Sequence, residues 1–297
     1  MLDLHRLTLL REVKLRGSMT AAARELSYSH SAISQQLSLL EREAGVRLLE
    51  RAGRNVRLTP AAEELVRNTE AILAAMERAE ADLAATRHEP KGEVRLAAFS
   101  SISRSVVPRA LAALASAHPG LRVGVSLADP EVAAVRLTSR QADAVLTDAY
   151  PGTERLTSSG VTVTTLGGDP VRGYLPSVAL EGDLDAVRDV PWVLEPPQSA
   201  SAQWARRVCR ELGFEPKVAH VSADLLFHLR MVEHGLAAAF LPDMILRETG
   251  SALAPSRWLP SDQERSIHLV VRAGAESNPA IVALRDALQT AFDAQLG

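Results

Sequence analysis

A chain of 297 residues, 46% of them hydrophobic and 23% charged, has material for more than one packed core, and no apolar run in it approaches membrane-spanning length. Its single cysteine, Cys209, excludes an intramolecular disulfide and a thiolate metal cluster. The net charge of −3 conceals an asymmetry: residues 1–59 hold nine Arg and one Lys against six acids, a balance of +4, while the remainder carries −7. A basic head on an acidic body is the electrostatic footprint of one module that meets nucleic acid. The first residues lack the basic-then-apolar layout of an export signal, because His5, Arg6, Arg11, Glu12, Lys14 and Arg16 are interspersed; the expected compartment is the cytoplasm.

Residues 4–15 carry Leu4, Leu7 and Leu10 at helical spacing and predict a first helix. Ser18 is placed to cap a second, short helix whose inner face is Ala22, Ala23 and Leu26. After the polar break at residues 27–29, Ser29 caps a third helix, expected over 29–43, in which Ile33, Leu37 and Leu40 point inward. Its outward residues His30, Ser31, Ser34, Gln35 and Gln36 are short, polar and almost uncharged, which suits hydrogen bonding to base edges. A helical hairpin with a solvated face is the alternative for this segment alone. Gly45 ends the third helix, and two strand-like runs at 46–50 and 55–59 flank Arg51-Ala52-Gly53-Arg54. That tip reads as a wing able to lay guanidinium groups along phosphates.

Residues 9–65 resemble the amino-terminal domain of LysR-type transcriptional regulators. The resemblance is carried by Gly17-Ser18, Thr20, Ala22-Ala23, Leu26, Ser29, Ala32-Ile33-Ser34, Gln36-Leu37, Leu40-Glu41, Gly45, Leu48, Arg51, Arg54, Leu58-Thr59 and Ala61. It implies a winged helix-turn-helix that binds double-stranded DNA through Ser18, Thr20, Ser29, His30, Ser31, Ser34, Gln35 and Gln36, with Arg51 and Arg54 on the backbone. Met19, Tyr28, His30, Leu49 and Ala62 depart from the family pattern. The core changes keep apolar volume, whereas His30 stands where Gln is common and alters base preference.

Thr59 and Pro60 open a long helix in which Ala62, Leu65, Thr69, Ile72, Met76, Ala79 and Leu83 repeat at alternating steps of three and four. This heptad seam predicts pairing between two subunits, so that two reading helices meet two half-sites; packing against its own protein is the alternative. Residues 87–92 form a polar, Pro- and Gly-containing hinge. The domains expected are a DNA-binding domain at 1–59, a linker and dimerisation helix with its hinge at 60–89, and an effector-binding domain at 90–297.

Beyond the hinge, strand and helix alternate: strands at 94–99, 121–127, 142–147, 161–166, 171–175, 192–194, 217–221, 235–242 and 267–272, with helices at 106–117, 131–139, 202–212, 224–234 and 279–296. That order predicts a parallel sheet with helices on both faces. The fold class expected is a multidomain α+β chain ending in a two-lobed α/β domain, lobe I being 90–163 and 267–297 and lobe II 164–266. The resemblance implies that this part is shaped like bacterial periplasmic solute-binding proteins.

In such sheets a ligand lies at the carboxyl ends of strands, near helix amino termini. This nominates Phe99, Ser100, Ser101, Asp129, Thr147, Asp148, Ser199, Ser201 and Ser222, the serines being ordinary helix caps on the alternative reading. The expected effector is a small organic molecule, with a carboxylate among the candidates, although Asp148 and Glu195 disfavour an added anionic group. No P-loop, Gly-x-Ser-x-Gly elbow or His-Glu-x-x-His is present, so neither catalysis, a metal nor a cofactor is expected. A solute-binding protein is the remaining rival. The resemblance implies a homodimer through the linker helix that assembles into a tetramer.

Overall fold

Helix caps set the local structure of the first unit. In the computed structural model, which describes residues 1–26, 28–52, 55–86, 89–153, 160–176 and 184–296, helix α1 (Leu4–Arg16) begins at Asp3, whose carboxylate accepts from the Arg6 amide at 3.0 Å. The α2 helix (Met19–Glu25) begins at Ser18, whose hydroxyl accepts from the Ala21 amide, and α3 (His30–Ala44) at Ser29, which accepts from the Ala32 amide, both at 3.1 Å. Such caps contribute about 1 kcal/mol each. Gly17 and Gly45 terminate α1 and α3 in the left-handed conformation, both with φ of 69°, where a Cβ would be strained. Leu7, Leu10 and Val13 meet Ala22, Ala23, Ile33, Leu37 and Leu40 in one buried cluster, and the two alanines let the helices approach closely.

Strands β1 (Leu49–Ala52) and β2 (Asn55–Leu58) pair antiparallel from Leu49 with Leu58 to Ala52 with Asn55. The first wing strand starts at Leu49 rather than at the expected residue 46. Glu41 supplies the reason: its Oε1 accepts from the Leu48 and Leu49 amides at 2.8 and 3.1 Å, anchoring the chain to α3 before the ladder can begin. The Thr59 hydroxyl then accepts from the Ala62 amide at 3.2 Å and opens helix α4 (Pro60–Ala85). Arg11, 7% exposed, joins α1 to α4 by donating to Glu70 at 2.7 Å and to the neighbouring Glu12 at 3.1 Å. The chain divides into two compact units, Met1–Glu80 and Ala81–Gly297, with the division inside α4.

The second unit is built on a six-stranded sheet. In chain order its elements are β3 (Gly92–Ala98), α5 (Ser100–Ser105), α6 (Val107–Ala117), β4 (Leu121–Leu127), α7 (Pro130–Thr138), β5 (Ala144–Ala149) and β6 (Val161–Tyr174). Next come α8 (Leu184–Asp189), β7 (Pro191–Leu194), α9 (Ala200–Glu211), β8 (Lys217–Val221), α10 (Leu225–Glu233), β9 (Ala239–Pro242), α11 (Asp243–Thr249), β10 (Gln263–Arg272) and α12 (Pro279–Leu296). The sheet order is β4-β3-β5-β10-β6-β9, and β7 pairs with β8 in a separate parallel pair.

The sheet is mixed, not parallel throughout as the strand–helix alternation suggested. Only β3 with β4 and β5 is parallel; β10 runs antiparallel to both β5 and β6, and β9 antiparallel to β6. The reason is that the chain crosses between lobes inside two long strands. The runs expected at 161–166 and 171–175 are one 14-residue strand, β6, paired with β10 from Val161 with Arg272 to Val171 with Gln263. One end of this ribbon joins β5 and the other joins β9. At residues 235–242 only the last four form a strand, because Gly235, φ 72°, closes the preceding helix and donates to the Val232 carbonyl.

Helix α12 returns to the first lobe, where Leu284, Leu288 and Phe292 pack with Leu96, Ile102 and Leu114. A Cβ on Gly167 would stand 2.5 Å from the Phe292 ring, so only glycine lets the crossing strand pass there. Trp192, Trp204, Phe214 and Phe240 form the aromatic centre of the second lobe, with Trp204 and Phe240 edge to face at 4.9 Å. Among the described residues no helix is long and apolar enough to cross a membrane.

Candidate functional site

Two regions carry exposed or enclosed polar chemistry, one in each unit. In the first, α3 buries Ile33, Leu37 and Leu40 and turns His30, Ser31 and Gln35 to solvent, with Ser34 and Gln36 half-buried. Thr20 is exposed on α2. The nominated hydroxyls are not equivalent. Ser18 and Ser29 are engaged as helix caps, and Ser31 Oγ lies 2.9 Å from Ser29 Oγ. Gln36 also has a structural partner, since its Oε1 accepts from Arg6 Nε at 3.0 Å. The side chains of His30 and Gln35 make no hydrogen bond within the described residues, which leaves both free to meet a ligand in a groove. The backbone of Arg51 lies in β1, opposite Val56. The wing tip, with Arg54, lies outside the described residues.

In the second unit the carboxyl ends of β3, β4 and β5 face the loops before α9 and α10 across a cleft of about 650 Å³. Phe99, Ser100 and Ser101 line it after β3, Asp129 and Glu131 after β4, and Asp148 at the end of β5. The opposite wall holds Glu195, Gln198, Ser199 and Ser201 between β7 and α9, with Ala223 and Leu225 before and in α10. Seven of the nominated effector residues therefore come together here. Thr147 does not: it is 1% exposed within β5, one residue short of the cleft wall. Ser222 does not either, its hydroxyl accepting from the Asp224 amide at 3.1 Å and its carbonyl from His228 Nε2 at 2.7 Å.

The residue that sequence reasoning missed is Arg265. It lies in β10 directly opposite Asp169 of β6, where the two crossing strands pair, and is 1% exposed. Its Nη2 and Nε donate to Asp169 Oδ2 at 2.8 and 3.1 Å, its Nη1 to Asp148 Oδ2 at 3.1 Å, and its Nη2 to Ser101 Oγ at 3.0 Å. Asp169, fully buried, also accepts from the Met244 amide at 3.1 Å. One guanidinium thus ties α5, β5 and β6 together at the cleft floor, with the Phe99 ring 5.2 Å away. Arg265 falls at the end of the expected lobe II, just short of the strand expected at 267–272; the signal available was a charged side chain two residues ahead of Ile267, Leu269, Val270 and Val271.

Burial pushes the Glu195 carboxyl up to about 7, opposed by the Ser201 hydroxyl that donates to it and reinforced by the Asp148 carboxylate. Burial likewise raises Asp148 despite Arg265. A smaller apolar pocket of about 300 Å³, lined by Tyr150, Trp204 and Phe240, shares Glu195, Ser201 and Leu225 with the cleft.

A winged helix-turn-helix in one unit and an enclosed polar cleft between two lobes in the other define a ligand-responsive DNA-binding protein. Residues 4–63 match the family model for the bacterial regulatory helix-turn-helix protein, lysR family, and residues 87–293 match that for the LysR substrate binding domain. The chain belongs to the LysR family and is a LysR-type transcriptional regulator with a DNA-binding and an effector-binding domain. A probable hydrogen peroxide-inducible genes activator from Mycobacterium avium is 28% identical over 264 residues, covering 86% of this chain and 83% of its own. Full-length OxyR from Pseudomonas aeruginosa shares the fold with a TM-score of 0.60 at 19% identity, covering 97% and 95% of the two chains. Full-length CbnR complexed with its target DNA does so with a TM-score of 0.52 at 20% identity, covering 98% and 99%.

Proposed function

We propose that this regulator works in the cytoplasm as a homo-oligomer, in which a small molecule held between the lobes changes how paired α3 helices meet two DNA half-sites. The observation that carries the reading is the exposed apolar stripe of α4. Ala62 and Thr69 are buried, but Ile72, Met76 and Leu83 of the same seam are 43%, 41% and 70% exposed. Large aliphatic side chains at heptad spacing are costly to leave in water, and a second copy of the same helix covers them. Base reading is assigned to His30, Ser31, Ser34 and Gln35, with Ser18, Thr20, Ser29 and Gln36 in supporting positions and Arg51 and Arg54 on the phosphates. Ligand contact is assigned to Phe99, Ser100, Ser101, Asp129, Asp148, Ser199 and Ser201. The relatives named above are gene activators or regulators, which favours a non-catalytic cleft, and CbnR, solved on its target DNA, supports the duplex as partner.

The hydrogen peroxide in the Mycobacterium relative's name does not carry over to this chain through its one cysteine. Cys209 is fully buried and its thiol is pushed up to about 12 by burial, so the reactive thiolate is scarce near neutrality. The oligomer is tested by replacing Ile72 and Met76 together with Asp. Light scattering should then report monomers and far-ultraviolet circular dichroism an undiminished helix content; an intact oligomer would remove the seam from the interface.

A further inference from the structure

The charge of the cleft says which class of molecule it takes. Asp129 and Glu131 stand at the start of α7, Asp148 at the end of β5, and Glu195 enters from the other lobe. The Asp129 and Glu131 carboxylates make no hydrogen bond or ion pair within the described residues, and the Glu195 carboxylate is bonded only by the Ser201 hydroxyl. Among the described residues the single cation lining the cleft is Arg265, and its guanidinium is engaged by Asp169, Asp148, Ser101 and the Tyr150 hydroxyl. A guanidinium whose donors are held inside the fold cannot present the free fork that bidentate carboxylate recognition requires.

Helix amino termini are the other natural anion sites, and at three of the four around the cleft a carboxylate of the protein itself stands close by, the exception being the six-residue α5, which has no acid in its first turn and no side-chain cap. Asp129 precedes α7 and Glu131 lies in its first turn; Glu195 accepts from Ser201 in the first turn of α9; Asp224 accepts from the Leu226 amide of α10 at 3.0 Å. A ligand carboxylate would enter a site in which the longer helices' dipoles are already answered and whose remaining charge is negative. Among the described residues no three acidic, histidine or cysteine side chains come together to hold a metal ion. The negative charge is instead spread over facing walls of a cavity sized for an organic molecule.

We propose that the cleft binds an organic cation, an amine or guanidine without a carboxylate of its own, whose charged head is held by Glu195 and drawn in past Asp129 and Glu131. This rests on the reading of the cleft as the effector site and names the ligand class for it. Binding is proton-linked. Glu195 faces Asp148, Asp129 and Arg265 in the cleft, with Tyr150 and His228 lining the adjoining pocket, and its carboxyl sits near neutrality. A cation stabilises the carboxylate form, so affinity rises as pH increases through that value.

Calorimetric titration of the intact chain with putrescine, agmatine and tyramine, against succinate and benzoate, tests this. The amines should bind, the two carboxylates should not, and amine affinity should fall roughly tenfold between about pH 8 and about pH 6. Glu195→Gln keeps the side-chain volume and should weaken the amines about tenfold. Glu131→Lys, at the exposed mouth, should weaken them several-fold while a cooperative thermal unfolding transition is retained at a slightly lower temperature, which covers the case where the first variant folds poorly. Succinate or benzoate binding that is lost when Ala200→Trp fills the cleft would overturn the cation while sparing the effector site. Binding by none of the amines overturns the cation, and amine binding indifferent to Glu195→Gln, Glu131→Lys and Ala200→Trp would overturn both readings.

Discussion

Arg265 shows how much one side chain can decide. A guanidinium at 1% exposure is tolerated only because Asp169, Asp148 and Ser101 answer its donors, and Asp169 is itself fully buried. Removing one partner of such a pair leaves an uncompensated charge, so Arg265→Ala should cost about 3–5 kcal/mol in chemical denaturation; a loss below about 1 kcal/mol would mean that the pair is not closed in solution. Glu195 gives a pH signature. Its folded-state value near 7 lies above that of an unfolded carboxyl, so its contribution to stability is complete below the ordinary carboxylate range and is lost as pH rises through about 7. Glu195→Gln should therefore flatten the stability profile between about pH 5 and about pH 8 by about 1–3 kcal/mol, and a profile parallel to the parent's would contradict the shift. At this scale the sequence was uneven. Ser18 and Ser29 were readable as caps because a cap is a contact three residues long, whereas the Gln36–Arg6 bond and the Arg265 cluster span 30 to 164 residues and leave no local trace.

At the scale of elements, the amino-terminal helices and the wing follow from periodicity, caps and turn residues, and the observed bounds of α1, α3 and α4 lie close to those expected. The second unit was less legible for a physical reason. Strand direction is set by which distant segment supplies the ladder, and β6 and β10 pair over about a hundred residues of sequence separation in a way that no window contains. The mixed sheet and the single 14-residue β6 come from that pairing. Helices α5 and α11, of six and seven residues, are too short to show a 3.6-residue repeat. The α4 seam was visible, yet its division into buried and exposed parts was not: Ala62 and Val66 join the amino-terminal core, while Ile72, Met76 and Leu83 stay uncovered. The Ile72 and Met76 replacement addresses the uncovered part alone, so loss of the oligomer with an intact first unit is its expected pattern.

For the whole molecule, the separation of charge matches the separation of tasks. The basic first 59 residues carry the helix proposed to meet an acidic polymer, and the acidic remainder carries a carboxylate-lined cleft proposed to hold a cation. Ligand binding acts on the DNA-bound arrangement only through a difference in affinity between states that the oligomer already visits, so the cation and the operator must each strengthen or weaken the other by the same factor. The central claim is that α3 reads duplex DNA as one of a symmetric pair. Selection of bound duplexes from a random-sequence pool by the purified 297-residue chain, at moderate ionic strength, tests it most directly. The account predicts enrichment of two related half-sites separated by whole helical turns, with the preference at one base pair relaxed by about 1–3 kcal/mol in Gln35→Ala; a bound pool indistinguishable from the starting pool would contradict it.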